Sequence, residues 1–242
     1  MMKHLLTLIA LLVGSAATPF LLLLASGNAM WLQGLTAMPQ FLPVMHSFAS
    51  TYVPFVWIPS LVILLLVTLL SARIFPALAN RIVAGFAAGA IATLALDSFR
   101  QLGVIHGWLP MDTIMLFGKM IAGPQAPELL WTSTGWVYHY LNGASFGILF
   151  TVLFGRIHWL WAVLWALFIE IGMMTLPPMA PVNGPFGVNT GGAAYFLITL
   201  VAHLAFGIVL GLLAQHWISN TGFIFSKLKN MIGDENGSRD PI

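Results

Sequence analysis

Residues 136–154 read WVYHYLNGASFGILFTVLF and residues 193–217 read AAYFLITLVAHLAFGIVLGLLAQHW. Each run is close to the roughly 20 apolar residues that a helix needs to cross a bilayer. Each carries a histidine followed at four-residue spacing by two glycines: His139, Gly143 and Gly147 in the first, His203, Gly207 and Gly211 in the second. Positions four apart share one face of a helix. Both runs therefore predict a spanning helix with a histidine at the head of a small-residue stripe. Such a stripe lets a neighbouring helix, or a flat cofactor, lie against the backbone.

One hydrophobic segment upstream of each run is another span, and it holds one carboxylate: Asp97 in residues 82–99 and Glu170 in residues 159–176. Further apolar stretches at 5–25 and 53–70 bring the total to about six spans. The expected fold class is all-α, a polytopic transmembrane helical bundle. Residues 1–232 form a single membrane domain and residues 233–242 a polar tail. Composition agrees: 59% of the 242 residues are hydrophobic and 7% charged, against about 25% charged in a soluble domain. The net charge of +2 gives no basis for a nucleic-acid partner, and the absence of cysteine excludes disulfides and thiol chemistry. The partner that composition implies is the lipid bilayer, with other membrane subunits as a further option.

Basic residues set the expected orientation, because Lys and Arg concentrate on the cytoplasmic side. Lys3, Arg73, Arg81, Arg156, Lys227, Lys229 and Arg239 fall on one side, and only Arg100 and Lys119 on the other. Both termini are expected in the cytoplasm, with the chain in a bacterial inner membrane. The start also fits a signal peptide, with Lys3, an apolar run and Ser15-Ala16-Ala17 as a cleavage site. Continuation of the run through residues 20–24 favours a retained span. The first outer loop, residues 26–51, is almost uncharged and suits the interface. The second, residues 100–135, holds a short amphipathic helix at 111–121. The third, residues 177–192, is rich in Pro and Gly and is expected to be a lid or turn.

The third and fourth spans resemble the fifth and sixth. Each pair has a carboxylate in the rising helix, a Pro-Met in the outer loop, and the His-Gly-Gly pattern in the descending helix. That suggests a parallel internal repeat, an arrangement known in transporters with sites at the repeat interface. Gly85 and Gly89 add a small-residue pair without a histidine, so Gly85, Gly89, Gly143, Gly147, Gly207 and Gly211 are the expected helix-packing positions.

Ionisable groups are expensive in hydrocarbon and tend to mark function. Asp97, His139, Glu170 and His203 are therefore expected to converge in the outer half of the membrane. Two histidines with two carboxylates suit Zn, Fe or Mn, and methionine thioethers would shift preference toward Cu(I). A haem b between His139 and His203 is a second option. Counted from the expected span edges, the two histidines differ in depth by about 9 Å at a rise of 1.5 Å per residue, which argues against it. Proton relay or cation transport is a third. Asp97 paired with Arg100 at the interface is the structural alternative. His46 and His106 are outer-loop residues within possible reach. No P-loop, serine-nucleophile motif or dinucleotide fingerprint occurs, so nothing indicates an enzyme. The expected function is an inner-membrane protein binding or moving a small cation, either a transition metal or a proton. The alternative is a structural or assembly subunit of a respiratory or photosynthetic complex, contacting haem or pigment.

Overall fold

In hydrocarbon every backbone polar group needs a partner inside its own segment, which a helix supplies. The computed structural model describes residues 2–16, 38–109, 112–176 and 179–224. Among the described residues the chain is all helical, apart from an isolated bridge between Gly155 and Thr221. The helices are α1 (Met2–Ala16), α2 (Met38–Tyr52), α3 (Ile58–Ile74), α4 (Pro76–Ile105), α5 (Thr113–Ala122), α6 (Glu128–Phe154), α7 (Leu160–Thr175), α8 (Met179–Asn183) and α9 (Gly192–Trp217). Expectations for the remainder of the first span, the Pro-Met pairs and the polar tail fall wholly or partly outside the described residues.

Among the described residues four stretches are long and apolar enough to cross a membrane: Phe41–Ile74, Pro76–Ile105, Glu128–Phe154 and Gly192–Trp217. Four of the six expected spans overlap these stretches. α1 ends where the described residues end, and α7 is shorter: at 16 residues it is roughly 24 Å long, less than the roughly 30 Å hydrocarbon core. The expected outer loop at 26–51 gives way to helix from Met38, because α2 runs through Val53–Trp57 into α3. That junction is a π turn carrying Pro54. A proline ring collides with the carbonyl four residues back, and a wider turn relieves the collision. The helix of the fourth span begins at Glu128, eight residues earlier than expected. The added turns contain Ser133 and Thr134. Their hydroxyls donate to the Leu129 and Leu130 carbonyls at 2.7 and 2.8 Å, so the helix absorbs its own polarity.

A real break separates α3 from α4. Phe75 is extended (φ −148°) because Pro76 disfavours helical backbone in the residue before it. α6 stops at Gly155, whose positive φ of 66° and contact with Asn220 and Gly222 leave no room for a side chain.

Helices α4, α6, α7 and α9 form the central bundle. Ala84, Ala88 and Ala92 of α4 meet Phe146 and Phe150 of α6, Ala162 and Ala166 of α7, and Phe206, Leu210 and Ala214 of α9 in one core. A second cluster joins α1, α3, α4 and α6 through Leu6, Leu64, Ile82 and Val152, among others. A third seats α5 among α2 and α6 through Phe41, Met45, Phe117, Met120 and Tyr138. The outer face of α3 is apolar and bare, with Leu65 and Leu66 each 59% exposed. Apolar residues at that exposure suit lipid contact rather than water.

Candidate functional site

The small-residue stripes set the helix registers. Side-chain atoms at Gly89 or Gly143 would run into the opposite backbone, since α4 and α6 touch there. Gly85 and Gly147 make the same close contact one turn further along. Thr93 sits against Gly143 and turns its hydroxyl back to the Gly89 carbonyl at 2.8 Å. Ascending α4 from Gly85 to Asp97 therefore descends α6 from Gly147 to His139, and the two helices are antiparallel. α7 and α9 repeat the arrangement with alanines on one side. Gly211 lies against Trp159 and Ala162, and Gly207 against Ala162, Val163 and Ala166. The next turn along brings Glu170 to His203.

A third register ties the two hairpins together. Gly103 packs against Ile198, and Asn80 donates to the Trp217 carbonyl, so α4 and α9 are antiparallel. Counting between these contacts puts Asp97 level with the turn of α9 that carries His203. Both carboxylates thus lie at one end of the bundle. The histidines also share a register within their helices, each eleven residues after the first residue, Glu128 in α6 and Gly192 in α9. The depth offset expected between them disappears once the longer α6 is counted.

The structure brings the four residues together as two pairs. His139 Nε2 is 2.9 Å from Asp97 Oδ1. The same oxygen accepts from Arg100 Nε at 2.7 Å. Arg100 Nη1 donates to Asp112 Oδ1 at 2.7 Å, and that oxygen also accepts from the Ile114 amide at 2.9 Å, capping α5. The guanidinium lies 5.5 Å from the centre of the Trp136 ring. The Asp97–Arg100 pair weighed from the sequence is therefore present, and it coexists with the histidine contact.

The second pair has no arginine. His203 Nδ1 is 2.8 Å from Glu170 Oε2 and 2.9 Å from the Thr199 carbonyl oxygen. A carbonyl can only accept, so Nδ1 carries a hydrogen, directed at that carbonyl with the carboxylate in charge contact. Thr199 Oγ1 donates to Glu170 Oε1 at 2.8 Å. Glu170 is 1% exposed, and among the described residues no Lys or Arg forms an ion pair with it. Tyr195, one turn before Thr199, is buried and accepts from Asn183 Nδ2 at 3.3 Å. The ring of Tyr195 fills the space where a side chain on Gly187 would stand, so the loop before α9 packs onto this stripe. That loop holds the short helix α8 and a turn at Pro185–Gly187.

Two expectations gain no support here. Among the described residues no three His, Asp or Glu side chains are grouped as a metal ion would require. Asp97 is turned toward α6 and Glu170 toward α9, so the four meet two by two, Asp97 with His139 and Glu170 with His203. Nothing in the arrangement supports haem between His139 and His203, whose imidazoles are each engaged by a different carboxylate. His46 and His106 join neither pair. His46 Nδ1 donates to the Met120 carbonyl near the end of α5 at 3.0 Å, and His106 stacks on Trp108.

Sequence reasoning overlooked Asp112, Tyr195 and Asn183. Asp112 stands directly before an apolar helical run, which is a helix-cap signal. Tyr195 is four residues before Thr199 on the stripe already recognised. Asn183 carries no such signal. Replacing Asp112 with Ala is expected to lower stability by about 1–2 kcal/mol, through the lost cap and a half-exposed ion pair. Thermal unfolding in detergent measures this, and an unchanged midpoint would refute it.

Searched against protein-family models, curated proteins and solved structures, the chain matches none.

Proposed function

We propose that this chain is an integral membrane protein that binds and passes a small cation, the proton, by way of a buried carboxylate–histidine pair. The observation that carries the reading is Glu170, buried in the central bundle with His203 and Thr199 as its partners. Burying such a pair costs several kcal/mol per ion, and a well-packed apolar replacement is often as stable or more so. Ionisable groups in spanning segments typically serve proton or ion pathways. A proton suits a pair of donors, whereas a structural metal site asks for about four ligands.

The chemistry needs one proton per pair. With its Nδ1 hydrogen alone the Glu170–His203 pair is anionic, and one further proton makes it neutral, whether the ring or the carboxylate holds it. A proton taken by His203 Nε2 makes the imidazolium, and the Nδ1 proton then moves to Glu170 Oε2. The pair then holds one proton more than before, as a neutral acid beside an Nε2–H imidazole, and passage is complete when Glu170 releases that proton and the ring regains its Nδ1–H form. The histidine is the side chain suited to such a shuttle near neutral pH.

The parallel repeat supports the same reading. Gly89, Thr93 and Asp97 of α4 correspond in spacing to Ala162, Ala166 and Glu170 of α7. His139, Gly143 and Gly147 of α6 correspond to His203, Gly207 and Gly211 of α9. Two hairpins of one ancestry would raise two pairs to one level. The excess of Lys and Arg on one set of loops supports both termini facing the cytoplasm and the pairs lying in the outer half of the membrane.

The test is proton flux in proteoliposomes containing the full chain, read by a trapped pH-sensitive dye. Glu170→Gln keeps shape and the Thr199 contact but removes the exchangeable carboxyl proton. Flux is expected to fall at least tenfold with insertion unchanged. Flux that persists at the wild-type rate in Glu170→Gln overturns the reading.

A further inference from the structure

The two pairs are matched in register but not in charge, and the difference is one residue. Three positions after Asp97 stands Arg100; three positions after Glu170 stands Met173. Both carboxylates head a buried small-residue stripe, so residues 100 and 173 occupy corresponding places. Resting on the proton reading above, we propose that Arg100 assigns the two copies different roles. It holds the Asp97–His139 pair at constant charge as a structural clamp, and leaves Glu170–His203 as the pair that exchanges a proton.

The groups facing each carboxylate support the division. Asp97 faces Arg100 on its own helix, His139 and Tyr140 on α6, and, through Arg100, Asp112 at the start of α5. A guanidinium is effectively always charged. Protonating Asp97 would strand it 94% buried, with a half-exposed carboxylate as its remaining ionic partner. The clamp also has a mechanical purpose, since one guanidinium joins α4 to the cap of α5 while the carboxylate it holds reaches α6. Glu170 faces Thr199, His203 and Tyr195 on α9, with Asn183 behind Tyr195, and none of these carries a fixed positive charge. Its neighbour Met173 is a half-buried thioether. Proton uptake at Glu170 leaves no permanent charge unpaired.

The test exchanges the two residues. Infrared difference titration of the full chain in detergent follows each buried carboxyl group, with band assignment by Asp97→Asn and Glu170→Gln. In the wild type, one buried carboxyl band is expected to titrate and to vanish in Glu170→Gln, and Asp97→Asn is expected to remove none. Arg100→Met is expected to add a second titrating band that the double variant with Asp97→Asn removes. Met173→Arg is expected to abolish the Glu170 band and to cut proton flux at least tenfold. A titrating band that Asp97→Asn removes with Arg100 in place overturns the inference, as does a Glu170 band that survives Met173→Arg. Should Arg100→Met fail to fold, the Asp97→Asn and Met173→Arg arms still decide. Failure of the underlying proton reading looks different: no band then depends on Glu170 at all.

Discussion

Gly143→Val is expected to cost the chain most of its stability, about 3 kcal/mol or more, because over-packed interiors force backbone shifts. The first atom added at Gly143 would collide with Thr93 and crowd the Gly89 carbonyl. Thr93 cannot easily yield, since its hydroxyl is tied to that same carbonyl. α4 and α6 would have to part along a contact that also includes Gly85 and Gly147. Parting them would lengthen the Asp97–His139 contact one turn away, so the loss extends from packing to the ion cluster. Gly172→Ala provides the contrast. An atom added there meets only a Leu176 methyl at 3.9 Å, and alanine is the better helix former by up to about 1 kcal/mol. Thermal unfolding in detergent should show a large drop for the first variant and none for the second. A Gly143→Val midpoint equal to wild type would mean that the two backbones do not touch.

That contrast marks what the sequence made legible. A glycine at four-residue spacing behind a histidine signals close helix contact, and all three glycine pairs named from the sequence lie in such contacts. Gly172 has no such spacing and packs against little. The pairing of each carboxylate with the histidine of the following long helix was also within reach, because hairpin partners are usually neighbours. The joining of all four residues was not. It depends on which way each stripe faces around its helix axis, and the α4 stripe faces α6 while Glu170 faces α9. Periodicity defines a face but not the neighbour that meets it. The start of α6 was hidden for a different reason: hydroxyls bonding back to the preceding turn resemble a loop in composition. The helical stretch before Val53 was obscured by Pro43, which α2 carries in its interior, and by Pro54, which the π turn accommodates.

His203→Leu separates a paired carboxylate from a stranded one, and its expected cost is about 3–5 kcal/mol, the typical loss when one partner of a buried ion pair is removed. Glu170 would keep only the Thr199 hydroxyl as a partner, in a site where it is 1% exposed. The double variant Glu170→Leu with His203→Leu is expected to recover most of that loss, to within about 1 kcal/mol of wild type, since apolar replacement of a whole buried pair is often neutral. Thr199 tolerates the change, because its hydroxyl has the Tyr195 and Phe196 carbonyls of its own helix at 3.0 Å and can donate there instead. The two substitutions are thus strongly non-additive, with leucine at 170 harmful alone and restorative beside leucine at 203. A neighbouring but uncoupled glutamate and histidine would instead give additive losses, and the double variant would be the least stable of the set. Unfolding in detergent across the four proteins reads the coupling directly. Paired with the flux measurement, it also separates stability from function: a double variant that folds as well as wild type yet passes no protons would mean that the pair is retained for what it transfers and not for what it holds together.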